Sequence, residues 1–224
     1  MRTRNQVQQF KTEDYVAMIG LLGLAVCLVM FAPLFRFGKP EVVKLVCEDE
    51  SGQTWQGAGV FVDDDLILTA GHMVEGAETI KVFYKDGTIR LAYKWYMEDK
   101  SVADLGIVVV RTPEREPIAY FMDLEVGDDV IVVGNPLGFF PVVTKGIISA
   151  VDMYDDFWGS SPFVFTDAAI NAGNSGGPAF TTHYEIAGIV VGEYRFAEGL
   201  NVVVSASVCE KFIEKYWNGE LEEL

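Results

Sequence analysis

Histidine and cysteine are scarce in this chain, which has two histidines and three cysteines among 224 residues. Three cysteines do not make a disulfide framework, and none of them has the C-x-x-C spacing of a zinc site. We therefore expect no metal centre and no cofactor. Cys47 and Cys209 are interpreted as two buried free thiols, although a disulfide between them stays open if the start and end of the domain are adjacent.

Basic residues are also in short supply, with 17 Lys and Arg against 33 Asp and Glu. The imbalance lies after residue 39, where 12 basic and 31 acidic side chains are found. An acidic surface repels phosphate backbones, so binding to nucleic acid is disfavoured. We interpret the excess negative charge as a means of keeping the domain soluble. The glycines of Gly134–Gly138 do not form a phosphate-binding loop, because the G-x-x-x-x-G-K-[ST] pattern is missing.

One long hydrophobic run stands out, the 21 uncharged residues of Tyr15–Phe35. A helix of about 20 apolar residues spans a bilayer. The alternative is a cleaved signal peptide, which has an apolar region of about 7–15 residues and a small-x-small cleavage site. Phe31–Arg36 offers no such site. We therefore predict an N-terminal tail over residues 1–14 and a transmembrane helix over residues 15–35. Basic residues flank the run equally, so charge alone does not orient it.

Helical patterns are rare after residue 41, where short apolar runs alternate with turn residues as in strands. The predicted strands are Val42–Cys47, Gly59–Val62, Leu66–Leu68, Thr79–Tyr84, Ile107–Val110, Val130–Val133, Ile147–Val151, Phe163–Phe165, Ile186–Val191 and Asn201–Val204. Asp63–Asp65 and Lys85–Thr88 are predicted hairpin turns. Many short strands at close spacing imply a sandwich or barrels. The one clear helix is Ser205–Asn218, with Gly219 placed to stop it.

The motif with the clearest chemistry is Ala172–Pro178, in which glycines frame Ser175. Glycines allow a tight turn whose amides converge on one point, as an oxyanion hole requires. Serine also needs a base, and His72 and Asp104 lie upstream in short Ala-Gly-His and Asp-Leu-Gly motifs. The order His72, Asp104, Ser175 is one of the known chain orders of the acyl-transfer triad.

These motifs resemble the chymotrypsin-like serine proteases, and within them the HtrA/Deg branch. The resemblance rests on Thr69–His72, Asp104–Ile107 and Gly173–Pro178, and it is narrowed by Val133–Gly138 and Thr166–Asn171. It covers about residues 41 to 212, which is most of the chain. Three ordered motifs at the family's spacing are much more specific than any one of them alone.

The resemblance implies an all-β fold of two six-stranded β-barrels within a protease domain over residues 36–224. Barrel 1 is expected at about residues 41–112, barrel 2 at about 123–208 and the C-terminal helix at about 205–218. Thr112–Asp123 is the predicted crossing between the barrels. The site is expected in the cleft between them, with His72 and Asp104 on barrel 1 and Ser175 on barrel 2.

By resemblance, Ser175 is the nucleophile, His72 the general base and Asp104 the carboxylate that orients it. The backbone amides of Gly173 and Ser175 are the expected oxyanion-hole donors. Asn174 lies between them, where digestive relatives have an aspartate that pairs with a newly cut N-terminus. Activation by propeptide cleavage is therefore not expected. His183 is predicted to be an exposed loop residue.

The resemblance also places the residues that bind the substrate side chain. The expected pocket residues are Ala169, Ile170, Val190, Val191 and Gly192. Without an acidic residue at its base, such a pocket favours small or medium apolar side chains over Lys and Arg. Asp167 is interpreted as a structural loop residue and Asp99 as a solvated loop charge.

The sequence as a whole predicts a membrane-tethered serine endopeptidase that acts on unfolded or membrane-proximal proteins. Resemblance to membrane-anchored HtrA proteins implies a catalytic domain outside the cytoplasm and therefore a cytoplasmic tail over residues 1–14. HtrA proteins also typically form homotrimers. Too little sequence follows the helix for the PDZ domain that is common in the family. Two alternatives stay open: a catalytically silent peptide-binding or chaperone-like module on the same fold, and an esterase, because Gly173–Gly177 matches G-x-S-x-G. The position of Ser175 last in the triad opposes the esterase.

Overall fold

The computed structural model describes residues 40–111, 119–194, 197 and 199–224, which all belong to one compact unit, Lys39–Leu224. Within these residues the strands are β1 (Val42–Glu48), β2 (Thr54–Phe61), β3 (Leu66–Thr69), β4 (Thr79–Phe83), β5 (Ile89–Met97), β6 (Gly106–Val110), β7 (Asp129–Gly134), β8 (Val142–Asp155), β9 (Gly159–Thr166), β10 (Pro178–Phe180), β11 (Ile186–Glu193) and β12 (Asn201–Ser205). The helices are α1 (Gly71–Val74) and α2 (Ala206–Trp217), and a 3-10 turn covers Pro136–Gly138.

Barrel 1 closes in the order β1-β2-β3-β6-β5-β4. Its interior follows from alternation along the strands, since successive side chains point to opposite faces. Along β1, Val43, Leu45 and Cys47 are fully buried, and the residues between them are half-buried. Strands β3 and β6 are buried along their whole length and pair antiparallel, with Leu68 opposite Ile107. This pairing brings the end of β3 beside the start of β6.

Barrel 2 closes in the order β10-β11-β12-β9-β8-β7. Strand β11 pairs with β12 through a bulge between Val190 and Gly192. Its other edge pairs with β10, which follows directly on the glycine-rich motif. The two closed barrels confirm the predicted all-β architecture. Of the predicted crossing, residues 112–118 lie outside the described residues, and Phe121 already forms a bridge to Ile186 of barrel 2.

Two strands have no counterpart in the predicted set. Strand β5 has apolar residues at every second position from Ile89 to Met97, which is the alternation typical of a strand, but the predicted set did not include it. Ile89 and Leu91, at its start, are exposed. Strand β10 has only three residues, which is too short for an alternation to be recognised. Both predicted hairpin turns are confirmed, because β2 pairs with β3 and β4 with β5 across them.

Helix α2 follows barrel 2, and it and the residues after it contact strand β5 of barrel 1 and the residue after that strand. Its predicted end is confirmed: the Gly219 amide donates to the Tyr216 carbonyl and the Glu220 amide to the Lys215 carbonyl, which is a Schellman motif. Lys215 Nζ lies 2.6 Å from Glu98 Oε2, at the end of β5. The Leu224 amide donates to the Trp95 carbonyl at 3.0 Å, also on β5.

The two cysteines of the described chain, Cys47 on β1 and Cys209 on α2, are buried and free, as predicted. Burial raises the pKa of the Cys47 thiol to about 12 and raises the pKa of Cys209 as well. No helix among the described residues has the length and apolar character needed to cross a membrane. The run Tyr15–Phe35, where such a helix is predicted, lies outside the described residues.

Candidate active site

His72 lies at the start of α1, immediately after β3. Ala70, in extended conformation, is the residue that precedes the helix, and the Met73 amide donates to its carbonyl. The buried Met73 and Val74 anchor the helix in barrel 1, and Trp55 Nε1 donates to the Met73 carbonyl at 3.0 Å. The His72 side chain is 40% exposed, on a short helix whose other residues are packed into barrel 1.

Asp104 lies just before β6 and makes two hydrogen bonds to His72. Its Oδ1 accepts the backbone N–H of His72 at 2.8 Å, and its Oδ2 lies 2.6 Å from the ring Nδ1. The β3–β6 pairing produces this contact, because it places the residues after Thr69 opposite those before Gly106. A carboxylate at Nδ1 holds the proton on that nitrogen and leaves Nε2 free to accept one.

Ser175 lies in a double turn at the start of β10. The Asn174 amide donates to the Asn171 carbonyl and the Gly177 amide donates to the Asn174 carbonyl, both at 2.9 Å. The third residue of each turn, Gly173 and Gly176, has φ of 102° and 80°. Residues with side chains rarely adopt these values, so both turns depend on glycine.

The same turn is fastened to barrel 1 through main-chain contacts. The Ala58 amide of β2 donates to the Ser175 carbonyl at 2.8 Å. A Cβ at Gly176 would overlap the Ala58 carbonyl oxygen and Thr69 Oγ1, and a Cβ at Gly57 would lie 2.6 Å from the Ser175 carbonyl oxygen. These contacts bring the serine of barrel 2 against the barrel that carries His72 and Asp104.

The amides of Gly173 and Ser175 donate no hydrogen bond to any atom of the described residues. Their orientation follows from the carbonyls on the same peptide planes, since C=O and N–H point in opposite directions. The Ala172 carbonyl accepts the Leu137 amide at 3.1 Å, and the Asn174 carbonyl accepts the Gly177 amide. Both N–H groups thus point away from these partners and have no acceptor among the described residues.

Ser175 Oγ and the His72 ring share no hydrogen bond within the part of the chain that the structure describes. Hydrogen bonds between catalytic groups are often long in the free enzyme and tighten when substrate binds. The side chain of Asn174, 2% exposed, is packed against Gly134 beneath the turn. It has no charge with which to bind an N-terminal ammonium group.

The expected pocket residues occupy two different environments. Ile170 and Val190 are buried in the core of barrel 2, and Val191 is buried in the larger cluster that includes barrel 1. The backbone of Val190 contacts the serine turn: its carbonyl accepts the Gly176 amide and its amide donates to the Gly177 carbonyl. The remaining two, Ala169 and Gly192, are more exposed, and the Trp158 ring lies against Gly192.

Asp167, interpreted as a structural residue, and Asp99, interpreted as a solvated loop charge, both accept backbone hydrogen bonds. Asp167 Oδ1 accepts the Ile147 amide at 2.7 Å, and Asp99 Oδ1 accepts the Ser101 amide at 2.8 Å. Hydrogen bonds from the Ser101 hydroxyl and then from the Ser101 amide hold the pKa of Asp99 below its usual value. His183 is exposed in the turn between β10 and β11. Across the described residues, no group of His, Cys, Asp and Glu side chains could hold a metal ion.

The sequence did not predict the residues that hold the site together. Ala58 fixes Ser175 through a backbone amide, and no side-chain pattern reveals such a contact. Asn135 is a partial exception, because it belongs to the Val133–Gly138 motif. Its backbone amide donates to the Gly173 carbonyl at 3.2 Å, and this hydrogen bond supports the turn that precedes Ser175.

Two six-stranded barrels, with a His–Asp pair on one and a serine turn on the other, define the class of chymotrypsin-like folds. The chain belongs to the family of trypsin-like peptidase domains, whose family model matches residues 57–189. It is 35% identical over 178 residues to a putative serine protease, HhoB, of Synechocystis sp., covering 75% of this chain. It is 36% identical over 154 residues to the serine protease Do-like HtrA of Bacillus subtilis, covering 62% of this chain.

Solved structures agree with these relatives. A serine endoprotease from Yersinia pestis is 30% identical and has a TM-score of 0.69 over 80% of this chain and 64% of its own. The HtrA-type protease AlgW, solved as a serine-to-alanine variant with a tripeptide, is 25% identical with a TM-score of 0.72, over 80% and 60% of the two chains. This chain spans 42% of HhoB and 34% of the Bacillus protein, less than half of either relative.

Proposed function

We propose that this chain is a serine endopeptidase of the HtrA type. The observation that carries the proposal is the double hydrogen bond between Asp104 and His72, on the barrel to which the Ser175 carbonyl is fastened. An aspartate bound to Nδ1 of a half-exposed histidine near a serine turn suits nucleophilic catalysis. The names of the relatives, which are serine proteases, support the same reaction.

In this mechanism Ser175 Oγ attacks the carbonyl carbon of the scissile peptide bond while His72 Nε2 takes its proton. Asp104 fixes the ring and stabilises the imidazolium that forms. The Gly173 and Ser175 amides donate to the oxygen on which negative charge develops. His72 then gives the proton to the leaving amine, and a water molecule hydrolyses the acyl-enzyme by the same steps.

The decisive test is covalent labelling of Ser175 with a fluorophosphonate probe. The parent chain should be labelled, and Ser175→Ala should lose both labelling and casein digestion while its circular dichroism spectrum is unchanged. Loss of a triad member costs several powers of ten in rate. Labelling of Ser175 without casein digestion would favour an esterase. A parent chain that binds peptides but takes no label would favour the silent binding module.

The substrate class follows from the same resemblance. AlgW was solved with a tripeptide, which supports peptide or unfolded-protein substrates for this chain. The principal pocket is proposed to involve Ala169, Ile170, Val190, Val191 and Gly192, and to accept uncharged side chains. Profiling of cleavage sites in a peptide library tests this assignment.

We further propose that Tyr15–Phe35 anchors the chain and that the protease domain lies outside the cytoplasm. The uncharged run supports the anchor, and similarity to probable periplasmic DegP-like endoproteases of Brucella supports the location. The protein should stay in the membrane fraction after alkaline carbonate washing. A soluble product whose N-terminus lies near Gly38 would contradict the anchor. The homotrimer typical of HtrA proteins is tested by analytical ultracentrifugation of detergent-solubilised protein.

A further inference from the structure

The tip of the β8–β9 hairpin, defined here as Trp158–Ser161, touches the loop that carries Asp104. The Ser160 amide donates to the Ser101 carbonyl at 2.8 Å, and the Ser161 amide donates to the Val102 carbonyl at 2.9 Å. The hairpin belongs to barrel 2, whereas the loop belongs to barrel 1. These two hydrogen bonds therefore connect the barrels two to three residues before Asp104.

Asp104 has little anchorage of its own. Within the described residues, its carboxylate accepts hydrogen bonds only from the backbone and ring of His72, the residue that it is proposed to orient. Its place must therefore come from the main chain of its loop. Inside that loop the Val102 and Ala103 amides both donate to the Asp99 carbonyl, at 2.8 and 3.1 Å. The hairpin tip supports this turn from outside on the N-terminal side of Asp104, and the β3–β6 pairing holds the residues that follow Asp104.

Gly159 is the point of closest approach between the hairpin tip and the loop. A Cβ at this position would lie 2.6 Å from the Val102 carbonyl oxygen, 2.8 Å from its carbonyl carbon and 3.1 Å from the Ala103 nitrogen. Cβ atoms in folded proteins essentially never come within 3.0 Å of such neighbours. Because all three atoms are main chain, no side-chain rotation can relieve the overlap, and the loop itself must shift.

We propose that Gly159 is a positioning residue for the Asp104–His72 pair. This proposal rests on the proposed function, in which that pair activates Ser175. By lacking a side chain, Gly159 lets the hairpin seat the Ser101–Ala103 main chain where the Asp104 carboxylate meets both N–H groups of His72. A methyl group at position 159 displaces the loop and lengthens those two hydrogen bonds.

Gly127 provides a matched control. Its φ is 95° and that of Gly159 is 98°, so alanine would have to adopt a similar positive φ, which L side chains rarely take, at both positions. A Cβ at Gly127, however, meets nothing within 4 Å. Gly127→Ala therefore measures the effect of backbone strain alone, and the difference between it and Gly159→Ala isolates contact with the Asp104 loop.

The first readout is the ¹H NMR signal of the His72 Nδ1 proton, which is sensitive to its hydrogen bond with Asp104. The other histidine, His183, is exposed, so its ring protons exchange with water and the assignment is unambiguous. We expect the signal to move or vanish in Gly159→Ala and to stay in Gly127→Ala. An unchanged signal in both variants would overturn the proposal, whether or not the chain is a protease.

The second readout is the rate of fluorophosphonate labelling. A misplacement of about 1 Å can cost about 100-fold in rate, so we expect Gly159→Ala to label about 10- to 100-fold more slowly than Gly127→Ala. In an Asp104→Asn background the same change should cost less than about threefold, because the group that it displaces has already been lost. An equal loss in both backgrounds would mean a general structural effect and would refute the positioning role.

Ser160→Pro is a second variant should Gly159→Ala fail to fold. It removes the N–H that donates to the Ser101 carbonyl and leaves Gly159 in place. The same displacement of the His72 signal is expected, and its absence would count against the proposal. If Gly159→Ala changes the His72 signal and Gly127→Ala does not, but the parent chain takes no label, the proposed function fails. The effect of Gly159 on the Asp104–His72 hydrogen bonds would still stand.

Discussion

Replacing Asp104 by asparagine removes a charge and leaves the side chain's shape almost unchanged, yet the amide cannot satisfy both of its contacts. In the native chain Oδ1 accepts the His72 backbone N–H at 2.8 Å, and Oδ2 lies 2.6 Å from the ring Nδ1. An asparagine has only one oxygen. If that oxygen keeps the backbone N–H, the NH₂ group faces Nδ1 and forces the ring proton onto Nε2, which then cannot accept the proton of Ser175.

The opposite amide orientation keeps the correct tautomer but sets the NH₂ group against the backbone N–H. A donor left without an acceptor costs about 1–3 kcal/mol, so the unproductive orientation prevails by about 5- to 150-fold. Losing the charged acceptor of the imidazolium costs about 1.5–3 kcal/mol more. Together these effects predict a fall in kcat of about 10² to 10⁴. The upper end of this range, about 10⁴, is the effect expected for an Asp-to-Asn substitution in a Ser-His-Asp triad.

The assay is peptide hydrolysis together with the rate of fluorophosphonate labelling, on Asp104→Asn and on a control, Asp49→Asn. Asp49 is an exposed turn carboxylate that accepts the Ser51 and Gln53 amides, and asparagine can accept them too. The control should keep the parent's activity, and both variants should keep its melting temperature within a few degrees. Activity of Asp104→Asn within tenfold of the parent would refute the reasoning from the tautomer.

Three further predictions follow from buried groups. Gly176→Ala should abolish labelling and lower the melting temperature, because its Cβ overlaps the Ala58 carbonyl; a fully active variant would contradict this. Burial raises the pKa of Cys47 to about 12, so Cys27→Ser protein should react with Ellman's reagent only after unfolding. Its free energy of unfolding should also fall as pH rises from about 9 towards 12, since only the unfolded chain then releases the thiol proton. Cleavage should follow Val, Ala, Ile or Leu rather than Lys or Arg. Burying an aliphatic side chain in the pocket gains about 1.5–3 kcal/mol, whereas burying a charge costs several kcal/mol. Peptide-library profiling by mass spectrometry measures this preference, and a preference for Lys or Arg would refute the prediction.

The strands that the sequence predicted have either a continuous apolar run or a regular alternation of buried and less buried residues, as β1 has. Strand β6 is an example of a continuous run, since all of Gly106–Val110 is buried. Strand β8 extends over Val142–Asp155, but the sequence predicted only Ile147–Val151. The prediction was too short because threonine, lysine and glycine interrupt the apolar residues before Ile147. Strand pairing compensates for weak local preference, and a single-sequence pattern does not contain that information.

The site was predictable to a different degree at each position. The motifs around His72 and Asp104 indicated a pair, and His72 Nδ1 lies 2.6 Å from Asp104 Oδ2. The contact of Ala58 with Ser175 and that of Gly159 with Val102 involve main-chain atoms from distant parts of the chain. The Ala58 contact joins two main-chain groups and leaves no signal in the sequence. The Gly159 contact requires the absence of a side chain, and its only trace in the sequence is a glycine that no motif singles out.

The hydrogen bond from the Ala58 amide to the Ser175 carbonyl bears on how this domain tolerates change. A backbone donor and a backbone acceptor survive nearly every substitution, proline at position 58 being the exception. Substitutions on the surfaces of both barrels can therefore leave this link between Ser175 and the opposite barrel in place. Gly57 and Gly176 are different, because an added Cβ would lie 2.6 Å or less from a main-chain oxygen of the opposite barrel, and the main chain would have to shift. In a saturation-mutagenesis map of this chain, these two small residues should be as intolerant as His72, Asp104 and Ser175.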